Sequence, residues 1–250
     1  MSKPGNYYIY GLHTLQTLLE RAPERVLSVS IAQTKHDERV GQLLLEIDRH
    51  GISLQRVNDK QLNKQLGEVN HQGVMAQVRS PHIGDDQDLL HDLAQVSTPL
   101  LLVLDGVQDP HNLGACLRSA DAAGAHGVVV PRDRACGLNA TVSKVASGAA
   151  EILPFYQVTN LARTLRELQD VPLHCVGLAG EATTSLYDCD LRGPLALVLG
   201  AEGTGLRRLT RDTCDVLAKL PMHGSVESLN VSVTAGIALF EAVRQRSLKV

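Results

Sequence analysis

The chain has 250 residues, 44% of them hydrophobic and 20% charged, with 24 Lys and Arg against 27 Asp and Glu for a formal charge of −3. That length builds one large or two small domains with cores of their own, and the apolar runs are strand-sized, far short of a membrane span. The acidic balance argues against a protein that coats polyanions indiscriminately.

Five scattered cysteines without a C-x-x-C, and ten histidines without ligand spacing, point to neither a disulfide framework nor a metal site. The cysteines read as reduced packing residues. The opening Met1-Ser-Lys-Pro-Gly-Asn6 is short and polar with no apolar core segment, so a cytoplasmic protein is expected.

In chain order, Leu12, Leu15, Leu18 and Leu19 form a helical stripe, Val26 to Ala32 alternates as a strand, and Val40, Leu43, Leu44 and Ile47 form a second stripe. Ile52 to Val57 and Val74 to Val78 read as further strands. Residues 1–79 are therefore expected as a small α/β module. Up to Ser80 there are ten Lys or Arg against eight Asp or Glu, and beyond it fourteen against nineteen, so the first module is the less acidic part. Residues 80–98, with Pro81, Gly84, Asp85, Asp86, Asp88 and Pro99 just beyond, read as a linker with a short possible helix at Leu89 to Ala94.

Residues 99–250 alternate strands and helices. Strands are expected at Leu100 to Leu104, Gly127 to Val130, Leu173 to Leu178, Leu195 to Leu199 and Val216 to Leu220. Helices are expected at Leu113 to Ala123, Ala140 to Ala149, Leu161 to Leu168 and Leu229 to Arg246. Strands apolar on both faces, separated by amphipathic helices, predict a mostly parallel sheet covered on both sides.

Three junctions after strands carry the polar residues. The first is Asn112-x-Gly114-x-x-x-Arg118, the second Gly200-x-Glu202-Gly203-x-Gly205, and the third Ser228-Leu229-Asn230-Val231-Ser232. Each could be no more than capping and turn chemistry. Strand-to-helix junctions are also where small polar ligands bind in α/β proteins. No G-x-G-x-x-G opens the first helix and no G-x-x-x-x-G-K-[ST] is present, which disfavours a dinucleotide or ATP. His111 and Asp109 lack a nucleophile in suitable context.

In this order the three motifs resemble those of the SpoU/TrmH branch of the SPOUT RNA methyltransferases. Ile9-Tyr10-Gly11-x-His13 and His71-Gln72-Gly73 are similar to the bacterial group that methylates a guanosine 2′-oxygen of 23S ribosomal RNA. The resemblance implies a C-terminal α/β-knot domain, trefoil-knotted on a mostly parallel sheet. Before it would come a small substrate-binding domain similar to the ribosomal L30e and L7Ae proteins. It implies S-adenosylmethionine as methyl donor, held near Leu178, Gly200, Leu220 and Leu229, with no metal.

It also implies roles for side chains. Arg118 orients the ribose hydroxyl and stabilises the developing alkoxide, Asn112 holds the arginine or the ribose, Glu202 orients Asn112 or the substrate, and Ser228 and Asn230 complete the pocket. The partners implied are 23S ribosomal RNA and a second copy of the chain, with the last helix (Val231, Ile237, Phe240, Val243) as part of that contact. Rival readings are a transfer RNA methyltransferase of the same branch, a non-catalytic RNA-binding protein and a nucleotide-dependent oxidoreductase.

Overall fold

The computed structural model describes residues 5–35 and 38–248. Its first stretch runs β1 (Asn6–Tyr10), α1 (Leu12–Arg21), β2 (Val26–Ala32), α2 (Glu38–Arg49), β3 (Ser53–Val57), α3 (Asp59–Leu66) and β4 (Val74–Arg79). Next come β5 (Ile83–Gly84), α4 (Asp86–Leu93), β6 (Leu100–Asp105), α5 (Pro110–Ala122), β7 (Gly127–Pro131), α6 (Ala140–Val145), α7 (Ala149–Ile152) and β8 (Phe155–Val158). The remainder is α8 (Leu161–Gln169), β9 (His174–Leu178), β10 (Thr184–Ser185), β11 (Leu195–Gly200), α9 (Arg208–Thr213), β12 (Val216–Lys219) and α10 (Val231–Ser247). Two compact units result, one reaching His82 and including Leu138–Ile152, the other holding Ile83–Gly137 and everything from Leu153.

In the first unit a four-stranded sheet has the order β1-β4-β2-β3, antiparallel except for the parallel pair β2 and β3. Period-two alternation sends Ile9, Val29, Ile31, Val74, Ala76 and Val78 to one face, where Leu15, Leu18 and Leu19 of α1 and Val40, Leu43 and Ile47 of α2 close over them. Each of the buried Val, Leu and Ile side chains stabilises by about 1.5–3 kcal/mol. On the other face α3, started by a capping box between Asn58 and Gln61, sets Leu62 against Ala32 and Met75.

The second unit is built on an eight-stranded, wholly parallel sheet of order β10-β12-β9-β11-β6-β7-β8-β5. Strand β6 shows why the sequence dictates this: Leu100 to Leu104 are all buried, Leu101 and Val103 toward a layer formed by α4 and α8. Helices α5 and α10 pack on each other, and contacts to β7 and β11 place them on the sheet. The C-terminal turn of α10 is pinned by Arg246, whose guanidinium donates to the carbonyls of Pro99 at 3.0 Å and Gly193 at 2.6 Å. That clamp fixes where the other end of the helix, at Asn230, must lie.

Four expectations are corrected. Residues 83–98 are not a linker: Asp85 caps α4 through the backbone N–H groups of Gln87 and Asp88, Leu89 and Leu93 are buried, and β5 adds to the sheet edge beside β8. The charges that suggested a linker are used, Asp86 accepting from Thr164 at 2.6 Å and Asp92 from Tyr156 at 2.7 Å. Second, the segment at Ala140 to Ala149 breaks into α6 and α7 at Ser147 and Gly148, both at positive φ. Third, Leu138–Ile152 belongs to the first unit, where the buried Glu151 carboxylate accepts from the Tyr7 hydroxyl and pairs with Arg25 at 2.7 Å.

The fourth concerns the last helix. It begins at Val231, and its buried side is Val231, Ala235, Ala238, Leu239, Glu241 and Ala242. Leu229 precedes the helix, and Val233 and Phe240 are exposed. The short strands β5 and β8 and the helices α3 and α9 were not expected.

Candidate active site

The sheet explains where a site forms. Strands β6, β7 and β8 succeed each other in one direction, whereas β9, β11 and β12 lie on the other side of β6, and ligands of open parallel sheets bind at the carboxyl ends of strands near such a reversal. A cavity of about 890 Å³ lies there, walled by 178–180 at the end of β9, 199–203 and Gly205 at the end of β11, 219–222 at the end of β12, and 227–231 with Thr234 at the start of α10. Its volume suits a small-molecule ligand.

Gly200 is set by close approach. The loop after β11 doubles back through a bridge between Ala201 and Gly205, and a Cβ at residue 200 would stand 2.0 Å from the Gly205 carbonyl carbon. Only glycine fits that fold-back. The loop returns through Arg207, whose backbone N–H donates to Asp105 at 2.9 Å, Asp105 being 1% exposed at the end of β6.

At the cavity mouth the three motifs meet. The Asn230 amide donates to the Asn112 side-chain oxygen at 2.8 Å and to the Glu202 carboxylate. Its own oxygen accepts from the Ser232 backbone N–H at 2.9 Å and the Ser232 hydroxyl at 2.6 Å, so Asn230 is the N-cap of α10. Glu202 also accepts from the Val231 N–H at 3.4 Å. An anion beside the first turn of a helix is favoured by the helix dipole. Residues 112, 202 and 230, far apart in sequence, form one hydrogen-bonded cluster.

The remaining expected residues divide. Leu178, Gly200, Leu220, Ser228 and Leu229 line the cavity with Glu202 and Asn230. Asn112 is no helix cap, because Asp109 caps α5 by accepting from His111, and Asn112 is the third helical residue, reaching the cavity edge through Asn230. Arg118 is not brought into the cavity. Six residues beyond Asn112 it lies roughly 240° around the helix and about 9 Å along it, exposed and with no side-chain hydrogen bond or ion pair among the described residues.

Burial pushes the Cys116 thiol on α5 up to about 12, and the Glu202 charge adds to the effect, so Cys116 is a neutral packing group. Sequence reasoning missed Asp105 and Arg207; the available signal was a lone carboxylate closing an otherwise apolar strand. It also missed Lys219 and Thr234, which line the cavity from β12 and α10. Among the described residues no group of three His, Cys, Asp or Glu is placed to hold a metal, and no helix is long and apolar enough to cross a membrane.

A parallel sheet covered on both faces, with a polar cluster and cavity at its carboxyl edge, defines an α/β enzyme whose ligand is held by loops between strands and helices. The chain belongs to the SpoU rRNA methylase family, whose pattern matches residues 99–240, and residues 8–83 match the pattern described as RNA 2′-O ribose methyltransferase substrate binding.

Relatives include the 23S rRNA (guanosine-2′-O-)-methyltransferases RlmB of Vibrio parahaemolyticus and of Escherichia coli, each 54% identical over 96% of this chain and 98% of the relative. Among solved structures, the SpoU methyltransferase AviRb from Streptomyces viridochromogenes in complex with AdoMet is 25% identical. It superposes with a TM-score of 0.79 over 97% of this chain and 91% of its own. The Aquifex aeolicus TrmH/SpoU tRNA modifying enzyme, 28% identical with a TM-score of 0.54, covers 64% of this chain.

Proposed function

We propose that the protein transfers a methyl group from S-adenosylmethionine to the 2′-oxygen of a guanosine in 23S ribosomal RNA. The observation that carries this reading is the meeting of Asn112, Glu202 and Asn230 at the mouth of the cavity. The relatives at 54% identity bear that activity in their names, over nearly the full length of both chains. A transfer RNA substrate is less well supported, since the transfer RNA enzyme above corresponds to only 64% of this chain.

The residues fit the cofactor. Leu178, Leu220 and Leu229 offer apolar walls for the faces of an adenine ring, and the loop main chain at 178–180 and 219–222 offers N–H and C=O groups to its polar edges. Bound there, S-adenosylmethionine supplies an electrophilic methyl group. The protein's task is to aim the ribose oxygen and stabilise the charge that develops on it. Arg118 serves that charge as a fixed cation, because a guanidinium does not give up its proton in this range. Asn112 and Glu202 orient the ribose and the loop, and Ser228 presents a hydroxyl at the cavity wall.

An exposed and unpaired Arg118 is the arrangement expected if it serves the cavity of a second copy. The exposed apolar side chains Val233 and Phe240 on α10 supply a surface for such a homodimer. The trefoil knot belongs to the same reading, supported by the insertion of β11 between β6 and β9 and by the hydrogen bond between the loops bearing Glu202 and Asn230. Residues 8–83 would hold the RNA, and the setting would be the cytoplasm.

The test is genetic and chemical. In a strain lacking the gene, ribose methylation is mapped across ribosomal and transfer RNA, and wild type or Arg118→Ala is restored. We expect one guanosine of 23S ribosomal RNA to lose its mark, wild type to restore it, and Arg118→Ala to fail although it folds and assembles normally. Full recovery with Arg118→Ala would remove that residue from the mechanism.

A further inference from the structure

We infer that Asp105 and Arg207 form a positioning pair that holds the loop 200–207, and with it Glu202, in register with Asn112 and Asn230. The inference rests on the cofactor reading above in its expected ligand. Asp105 and Gly200 are direct register partners across β6 and β11, so the carboxylate stands beside the point where the loop leaves the sheet. The loop turns back through the Ala201 and Gly205 bridge and returns to the same carboxylate at Arg207. There the backbone N–H donates to one oxygen of Asp105 and the side-chain Nε to the other.

The Asp105 side chain is 0% exposed and that of Arg207 42%. A carboxylate so placed is tolerated only when hydrogen-bonded and charge-paired, and among the described residues Arg207 is its ion-pair partner. The loop is thus fixed at its root by Asp105 and Arg207 and at its tip by Glu202 and Asn230, the latter contact lying on the surface. Surface contacts of that kind are weak. The root pair therefore sets whether Glu202 is presented at the cavity edge. Neither member lines the cavity, so the pair acts through the loop.

The test uses the full-length protein and the variants Arg207→Met, Arg207→Lys, Asp105→Asn and the double variant Asp105→Asn/Arg207→Met. For each, the dissociation constant for S-adenosylmethionine is measured by calorimetry, kcat and KM by methyl transfer, hydrogen exchange at amides 201–206 by mass spectrometry, and the midpoint of thermal unfolding. In Arg207→Met we expect Kd and KM for S-adenosylmethionine to rise about tenfold or more and kcat to fall as well, because Glu202 leaves the position from which it orients the ribose. Exchange at 201–206 should accelerate in parallel. Arg207→Lys, which keeps a cation at the site, should recover most of the affinity, and the double variant should lose little beyond the single ones, since the partners act as a unit.

The proposal is overturned if Arg207→Met unfolds at a lower temperature while Kd, KM and exchange at 201–206 stay at wild-type values, which is the signature of a merely structural pair. Additive losses in the double variant would also overturn it. If wild type itself does not bind S-adenosylmethionine, the cofactor reading fails. Hydrogen exchange then decides the pair by itself: faster exchange in Arg207→Met supports it and unchanged exchange refutes it.

Discussion

At the scale of single residues, Asn230 does two jobs with opposite ends of one amide. Its oxygen caps α10 through Ser232, and its nitrogen donates to Asn112 and Glu202. Asn230→Asp separates them. Aspartate caps a helix as well as asparagine does, but it replaces the donor with an oxygen facing two acceptors. We expect the variant to unfold within about 1 kcal/mol of wild type while methyl transfer falls by roughly 100-fold, the scale of losing one positioned polar group in an active site. Denaturant titration and single-turnover kinetics check the two halves. A variant that keeps full turnover would show that the three-motif cluster is only a cap.

The residue scale is also where the sequence was most legible. Asn112, Glu202 and Asn230 were chosen because their spacing after strands resembled one family, and they meet in space. The staple from Asp105 to Arg207 was not legible. A lone carboxylate closing an apolar strand is a signal, but nothing ties it to an arginine one hundred and two positions later until the register of β6 against β11 brings them together.

At the scale of elements, β6, β7, β9 and β11 were readable because strands buried on both faces appear as nearly unbroken apolar runs. Helix α10 misled for a related reason. Periodicity weighs large apolar side chains, but half of the buried face is alanine, which lets helices approach closely, and the large Val233 and Phe240 mark the outer face. The expected linker 80–98 misled because its acidic residues read as solvated charge, whereas Asp85 and Asp88 form a capping box and Asp86 and Asp92 accept from Thr164 and Tyr156.

The turn after β11 yields the prediction at this scale. Gly200→Ala places a methyl group against the backbone at Gly205, which cannot yield as a flexible side chain would. The fold-back must open, at a cost on the order of 1–3 kcal/mol for an overpacked site. We expect loss of S-adenosylmethionine affinity larger than the loss of stability, read by calorimetry beside thermal unfolding. Wild-type affinity in Gly200→Ala would mean that the loop does not need this close return.

At the scale of the whole molecule, stability should depend on pH through buried thiols. Burial is the first cause that pushes Cys116, Cys175 and Cys214 each from 9.0 up to about 12, with nearby carboxylates adding to it. A group whose folded pKa is raised contributes stability that is present below the unfolded value and lost as pH rises toward the folded one. Denaturant midpoints should therefore hold up to about pH 9 and fall between about pH 9 and 12, where the unfolded chain ionises first. The fully buried Cys116 and Cys175 should resist a thiol reagent at pH 8 until denaturant is added. Rapid native labelling of all five cysteines would contradict their burial.

The central claim, that three separated loops converge to present a methyl donor to a ribose oxygen, is tested most directly by incubating the purified protein with labelled S-adenosylmethionine and unmodified 23S ribosomal RNA. The RNA is then digested to nucleosides. The account predicts label in 2′-O-methylguanosine alone, formed roughly 100-fold more slowly with Asn230→Asp. Label on a base, or no transfer by a protein that binds both partners, would contradict it.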